Sequence, residues 1–110
     1  MLKKRIINNF HKDGYGVNLL NIDYTDISIC YVKINGTRET NCKIKNFPIY
    51  YFIIEGTGTF INEDSIVVEK GDLIEVPANT KYTYKGNMYM LEIIPSSFDK
   101  LDLEEENIIS

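Results

Sequence analysis

The sequence predicts an all-β domain, a small barrel or sandwich, on three observations. Apolar and polar residues alternate with period two over much of the chain, strand formers rather than helix formers fill both alternating sets, and Gly, Pro and Asn interrupt the runs about every 6–12 residues. A chain of 110 residues, 44% apolar and with eight Tyr and five Phe, has the size of one domain with one core.

Along the chain, the region from Lys4 to Ile22 carries enough apolar residues to add a strand to a neighbour's sheet, and the lone histidine, His11, sits among polar residues where solvent is its expected surrounding. From Ile27 to Ile34 the set Ile27, Ile29, Tyr31 alternates with Ser28, Cys30, Val32, and Asn35-Gly36 ends the run with a turn. Between Thr40 and Lys45, Asn41, Lys43 and Lys45 fall on one face and must be wet, so Cys42 and Ile44 point inward. Pro48 separates this strand from Ile49–Ile54, an apolar run expected to be covered on both sides, in which alternation puts Tyr51 inward and Tyr50 outward. Gly56 and Gly58 suit a curved hairpin entering Thr59-Phe60-Ile61. Strands at Ile66–Glu69 and Leu73–Val76 follow, separated by Lys70-Gly71-Asp72 and closed by Pro77, and Asn79 is expected in a left-handed turn. Tyr82 and Tyr84 alternate with Lys81, Thr83 and Lys85 and so face in; Gly86-Asn87 turns the chain into a last strand, Met88–Ile94. These make at least seven short strands. Beyond Pro95 the acidic segment 97–110 reads as a short helical or irregular tail packed on the domain formed by residues 1–96.

The segments Ile54-Glu55-Gly56-Thr57-Gly58-Thr59-Phe60 and Gly71-Asp72-Leu73-Ile74-Glu75-Val76-Pro77-Ala78-Asn79-Thr80-Lys81-Tyr82 resemble the two conserved segments of the cupin superfamily, and the resemblance extends from about Thr40 to Ile94. It implies a cupin-like double-stranded β-helix, a jelly-roll barrel. The family's first motif carries two histidines and a glutamate, then a glycine seven residues on; counted back from Gly56, those ligand positions hold Cys42, Ile44 and Ile49. The histidine of the second motif falls on Tyr82, although Gly71 and Pro77 of its turn scaffold remain. One thiol, one phenol and two isoleucines are not the donor set of a divalent metal, so neither a bound metal nor any other cofactor is expected.

The expected pocket is therefore apolar and tyrosine-bearing, lined by Cys42, Ile44, Ile49, Tyr51, Tyr82, Tyr84 and Glu92. Glu92 is the unusual charge of the last strand. It is either a carboxylate at a wet strand edge or, if buried, a candidate acid or base. Cys42 is expected to be an inert buried thiol, because no base lies near it in sequence.

A net charge of −4 with scattered Lys and Arg argues against a dedicated nucleic-acid partner. No run approaches the ~18 apolar residues of a membrane helix, Lys3-Lys4-Arg5 precedes too short an apolar stretch for a signal peptide, and two cysteines are too few for a disulfide framework. A cytoplasmic homodimer is the expectation. Three functions fit: a metal-independent barrel binding a sugar, sugar phosphate or similar small metabolite, a metal-independent carbohydrate epimerase or isomerase, and a sensor module acting through a partner protein.

Overall fold

The computed structural model describes residues 1, 6–12, 14–20 and 26–107, with side chains described at 1, 14–20 and 26–106. Among the described residues nine strands form two sheets: β1 (Ile6–Lys12), β2 (Tyr15–Leu20), β3 (Ser28–Thr37), β4 (Thr40–Ile44), β5 (Ile49–Ile61), β6 (Ser65–Glu69), β7 (Leu73–Val76), β8 (Thr83–Ile94) and β9 (Leu103–Asn107). The larger sheet runs β1-β2-β3-β8-β5-β6, with β7 also paired to β5, and the smaller one is β4-β9. Every pairing is antiparallel. Cys42 and Tyr82 join the sheets through a two-bond bridge, with backbone N···O distances of 2.8 and 2.9 Å. Among the described residues no helix is long and apolar enough to cross a membrane.

The core is one face of the large sheet closed by β4. Alternation in β3 turns Ser28, Cys30, Val32 and Ile34 inward, and β8 answers with Ile94, Glu92, Met90 and Met88 in register. Cys42, Ile44, Ile49, Tyr51, Tyr82 and Tyr84 are all buried, as the alternation requires. Around Tyr51 the rings of Phe60, Tyr82 and Tyr84 lie with centroids 5.0, 6.0 and 5.6 Å away, an edge-and-tilt cluster of the kind aromatic quadrupoles favour.

Five expectations change. Gly56 and Gly58 are not in a hairpin: β5 runs through them, with a register shift between Ile53 and Glu55, because a positive φ at Gly56 (90°) absorbs an irregularity within a continuing strand. Gly36 and Gly86, likewise, are inside β3 and β8 at φ 127° and 139° rather than in turns, so Asn35-Gly36 does not end its strand. The run Ile49–Ile54 is covered on one face only, leaving Phe52 39% exposed. The N-terminal β1–β2 hairpin pairs with this chain's own β3, which satisfies the edge that a neighbour was expected to cover. The side chain of His11, within β1, lies outside the described ones.

Fifth, the described part of the acidic tail, up to residue 107, has a single 3-10 turn at Phe98–Lys100 and then forms β9, which pairs with β4. Its glutamates fall opposite the wet lysine face of β4: Glu104 pairs with Lys43 at 3.3 Å and Lys45 at 2.6 Å, while Glu106 pairs with Lys81. Complementary charge across an antiparallel pair thus replaces the apolar alternation that would have marked a strand.

Candidate functional site

Sheet register assembles the site. Cys30 on β3, Glu92 on β8 and Tyr51 on β5 are direct cross-strand partners, so one row across three neighbouring strands brings a thiol, a carboxyl and a phenol side by side on the inner face. The Tyr51 hydroxyl donates to Glu92 Oε2 at 2.6 Å and lies 2.5 Å from the Tyr82 hydroxyl. With Glu92 ionised, Tyr51 donates to it and Tyr82 donates to Tyr51; with Glu92 protonated the order can reverse, which frees the Tyr82 hydrogen.

This row borders a cavity of about 320 Å³. Its apolar wall includes Cys42, Ile44, Ile49 and Ile94, and its polar groups include Glu92, Tyr82, Arg38 and Tyr15. Phe98, Leu101, Leu103 and Glu105 reach it from the C-terminal segment. Five of the seven residues expected in the pocket, Cys42, Ile44, Ile49, Tyr82 and Glu92, stand on this wall. Tyr51 and Tyr84 do not: both are fully buried behind it, Tyr51 bonded to two wall residues and Tyr84 donating to the Tyr15 hydroxyl at 3.2 Å.

Glu92 is not at a wet strand edge, since β8 lies between β3 and β5. Half-buried, it opens onto the cavity, and burial raises its carboxyl above the ordinary range, against the Tyr51 hydrogen bond, the charge of Arg38 and the Cys30 thiol, which favour ionisation. Burial also holds Tyr82, Tyr51 and Tyr84 well above the usual phenol value, reinforced by Glu92 at the first two and by Tyr15 at the third. The Cys30 thiol is raised by burial and by Glu92, the Cys42 thiol by burial against the opposing charge of Arg38, which favours the protonated form of both.

Arg38 is the functional candidate that sequence patterning missed. It sits between β3 and β4, where alternation stops, and its backbone is pinned by its N–H donating to the Tyr84 carbonyl at 2.9 Å and by its carbonyl accepting from Thr83 Oγ1 at 3.0 Å. Only 8% exposed, its guanidinium lies 5.4 Å from the Tyr84 ring centroid and 5.8 Å from that of Tyr15. Being one of only two arginines was the available signal, and it carries no direction.

The four positions that would hold a cupin metal do come together around the cavity, as Cys42, Ile44, Ile49 and Tyr82. A protonated thiol and phenol with two hydrocarbons do not fit a divalent ion. Among the described residues no group of three or more His, Cys, Asp or Glu is placed to hold one.

No family profile and no curated protein matches the sequence. Solved structures do match. Pac13, a nucleoside dehydratase studied from Streptomyces and also solved as variants with uridine, superposes with a TM-score of 0.85 at 22% identity over 99% of this chain and 95% of that one. Ectoine synthase from P. lautus gives 0.70 at 15% identity over 93% and 83%, and KdgF from Halomonas gives 0.68 at 11% identity over 84% and 90%. Together with the glycine and proline scaffold at Gly56, Gly71 and Pro77, these superpositions establish that the fold of this chain is that of the cupin superfamily.

Proposed function

We propose that the barrel binds a small hydroxylated metabolite, a sugar, sugar phosphate or similar compound, without a metal. The cavity carries this reading: about 320 Å³, the low end of small-molecule sites, with hydrocarbon walls and a carboxyl, a phenol and a guanidinium as its fixed polar groups. A hydroxylated ligand matches that mixture, because Glu92 accepts from hydroxyl groups and Arg38 donates to oxygens. The uridine found with Pac13 contains a ribose, which is of this class. Two free buried thiols, Cys30 and Cys42, suit a cytoplasmic setting, and a homodimer is the assembly we favour.

The test is thermal unfolding with a panel of sugars, sugar phosphates and nucleosides in excess chelator. A true ligand at ~100 times its dissociation constant adds about 2.7 kcal/mol, and about 10 °C or more for a domain of this size. Ile49→Trp, which fills the cavity, should abolish the shift. Stabilisation that appears only on adding a divalent metal would defeat the metal-free reading.

The Glu92–Tyr51–Tyr82 chain favours a second reading, a metal-independent acid–base enzyme of the isomerase or epimerase type. Glu92 and Tyr82 lie within one hydrogen bond of the same hydroxyl, so their oxygens are no more than about 5 Å apart. A substrate touching both would lose a proton to one and gain a hydrogen bond or proton from the other. Exchange of a ligand's carbon-bound hydrogen with deuterated water, lost in Glu92→Gln, distinguishes this from binding alone.

A further inference from the structure

The cation on the cavity wall is under-satisfied. Arg38 is more than nine-tenths buried, yet among the described residues its one carboxylate partner is Glu105, reached by Nη2 at 3.2 Å, long for a charge-assisted bond. The Glu105 side chain is itself 50% exposed. Among the described residues the buried Nε–H of Arg38 has no acceptor at all. Ring faces and the Cys42 thiol also lie against it, and neither supplies a strong acceptor. By contrast Lys43, Lys45 and Lys81, on the same side of the barrel, are paired by Glu104 and Glu106 in the solvated β4–β9 seam. Leaving the buried Nε–H of a guanidinium without an acceptor costs stability unless something else brings acceptor oxygens to that group. Arg38 and Glu105 both line the cavity, so a ligand there is the something else.

We propose that the ligand of this cavity carries a carboxylate or phosphate group, that this group binds Arg38, and that Glu105 is an internal placeholder for it. The inference rests on the cavity being a small-molecule site, as proposed above, and adds the ligand's charge and orientation. The anionic group lies at Arg38, where a planar fork of N–H donors matches two oxygens at once. Hydroxyl groups face Glu92 and Tyr82. Glu105 releases Arg38 at little cost, because its carboxylate is already half in water at the end of a side chain on β9.

The opposite responses of two variants test this. Inorganic phosphate and acetate are titrated into ¹⁵N-labelled protein while the Arg38 Nε–H resonance is followed, and ribose and ribose 5-phosphate are compared by calorimetry. The expectation is a saturable shift of that resonance with at least one anion, and ribose 5-phosphate binding about tenfold or more tighter than ribose, as charge-assisted hydrogen bonds warrant. Glu105→Gln should tighten anion binding about two- to fivefold, the worth of a displaced exposed ion pair. Arg38→Met, which keeps the packing volume without the charge, should erase the preference for the phosphate ester over ribose. If ribose binds while no anion moves the Arg38 signal in either the wild type or Glu105→Gln, the anion site is refuted and the binding cavity stands. Anion binding that Glu105→Gln weakens refutes the placeholder. Absence of binding by every sugar and anion overturns both this inference and the function it rests on.

Discussion

Glu92 is reached through the middle strand of three, and its neighbours in the row decide its behaviour. Burial favours its neutral form, so the folded protein holds that proton more tightly than the unfolded chain does. The corresponding stability is complete below the unfolded glutamate value, about 4.3, and is lost as pH rises through the higher folded value. Glu92→Gln keeps an acceptor for the Tyr51 hydroxyl and removes the titration. Its melting temperature minus that of the wild type should therefore increase with pH across this window and level off above it. A difference that stays flat with pH would show that Glu92 is not raised. Tyr51→Phe makes the complementary test. It deletes the donor that favours the carboxylate and leaves Tyr82 without that partner, so urea unfolding should show a loss of about 1–3 kcal/mol. The pH window of the Glu92 effect should also extend upward in the Tyr51→Phe background.

At the scale of elements, the paired strands β5 and β8 leave no room for a side chain at Gly86. A Cβ on Gly86 would lie 2.5 Å from Gly58 Cα and 2.5 Å from the Thr57 carbonyl oxygen, whereas one on Gly36 would meet nothing within 4 Å. Both residues have positive φ, 139° and 127°, so alanine is strained at each position and the pair isolates the clash. Gly86→Ala should be less stable than Gly36→Ala by about 2 kcal/mol or more in denaturant unfolding, in the range of overpacking costs. Equal losses would mean that φ strain alone explains these glycines. The same glycines mark the limit of sequence reading. Alternation is a local property, and it correctly turned Cys42, Ile44, Tyr51, Tyr82 and Tyr84 inward. Whether a glycine ends a strand or lets two strands touch depends on the partner strand, which local pattern does not contain. Arg38 and β9 were illegible for a related reason: one lies in a turn without a period, and the other is a strand through its charge match to Lys43, Lys45 and Lys81, about sixty and twenty-five residues upstream. Glu92 was read as unusual, but its place in the row with Cys30 and Tyr51 came only from register.

For the whole molecule, the outer face of the large sheet carries a second row, one residue out of phase with the first. Tyr31, Leu91, Phe52 and Leu73 are successive cross-strand partners on β3, β8, β5 and β7. Phe52 is 39% and Leu73 is 62% exposed, so the row is an apolar stripe on the outer surface. We propose that a second copy turned through a two-fold axis lays the same four side chains against this stripe, the geometry of an isologous dimer. Stable interfaces of that type bury roughly 1,200–2,000 Å² in total, more than one row provides, so the neighbouring outward residues Tyr50 and Ile93 are expected to join it. Light scattering should then give twice the 12.7 kDa chain mass at tens of micromolar. Phe52→Asp places a charge at the centre of the contact, where burying it unpaired would cost several kcal/mol, and should yield a monomer with an unchanged far-ultraviolet circular dichroism spectrum. Because the stripe and the cavity lie on opposite faces of one sheet, that monomer should retain ligand binding. A wild-type monomer, or a Phe52→Asp protein that still dimerises, would rule out this face as the interface.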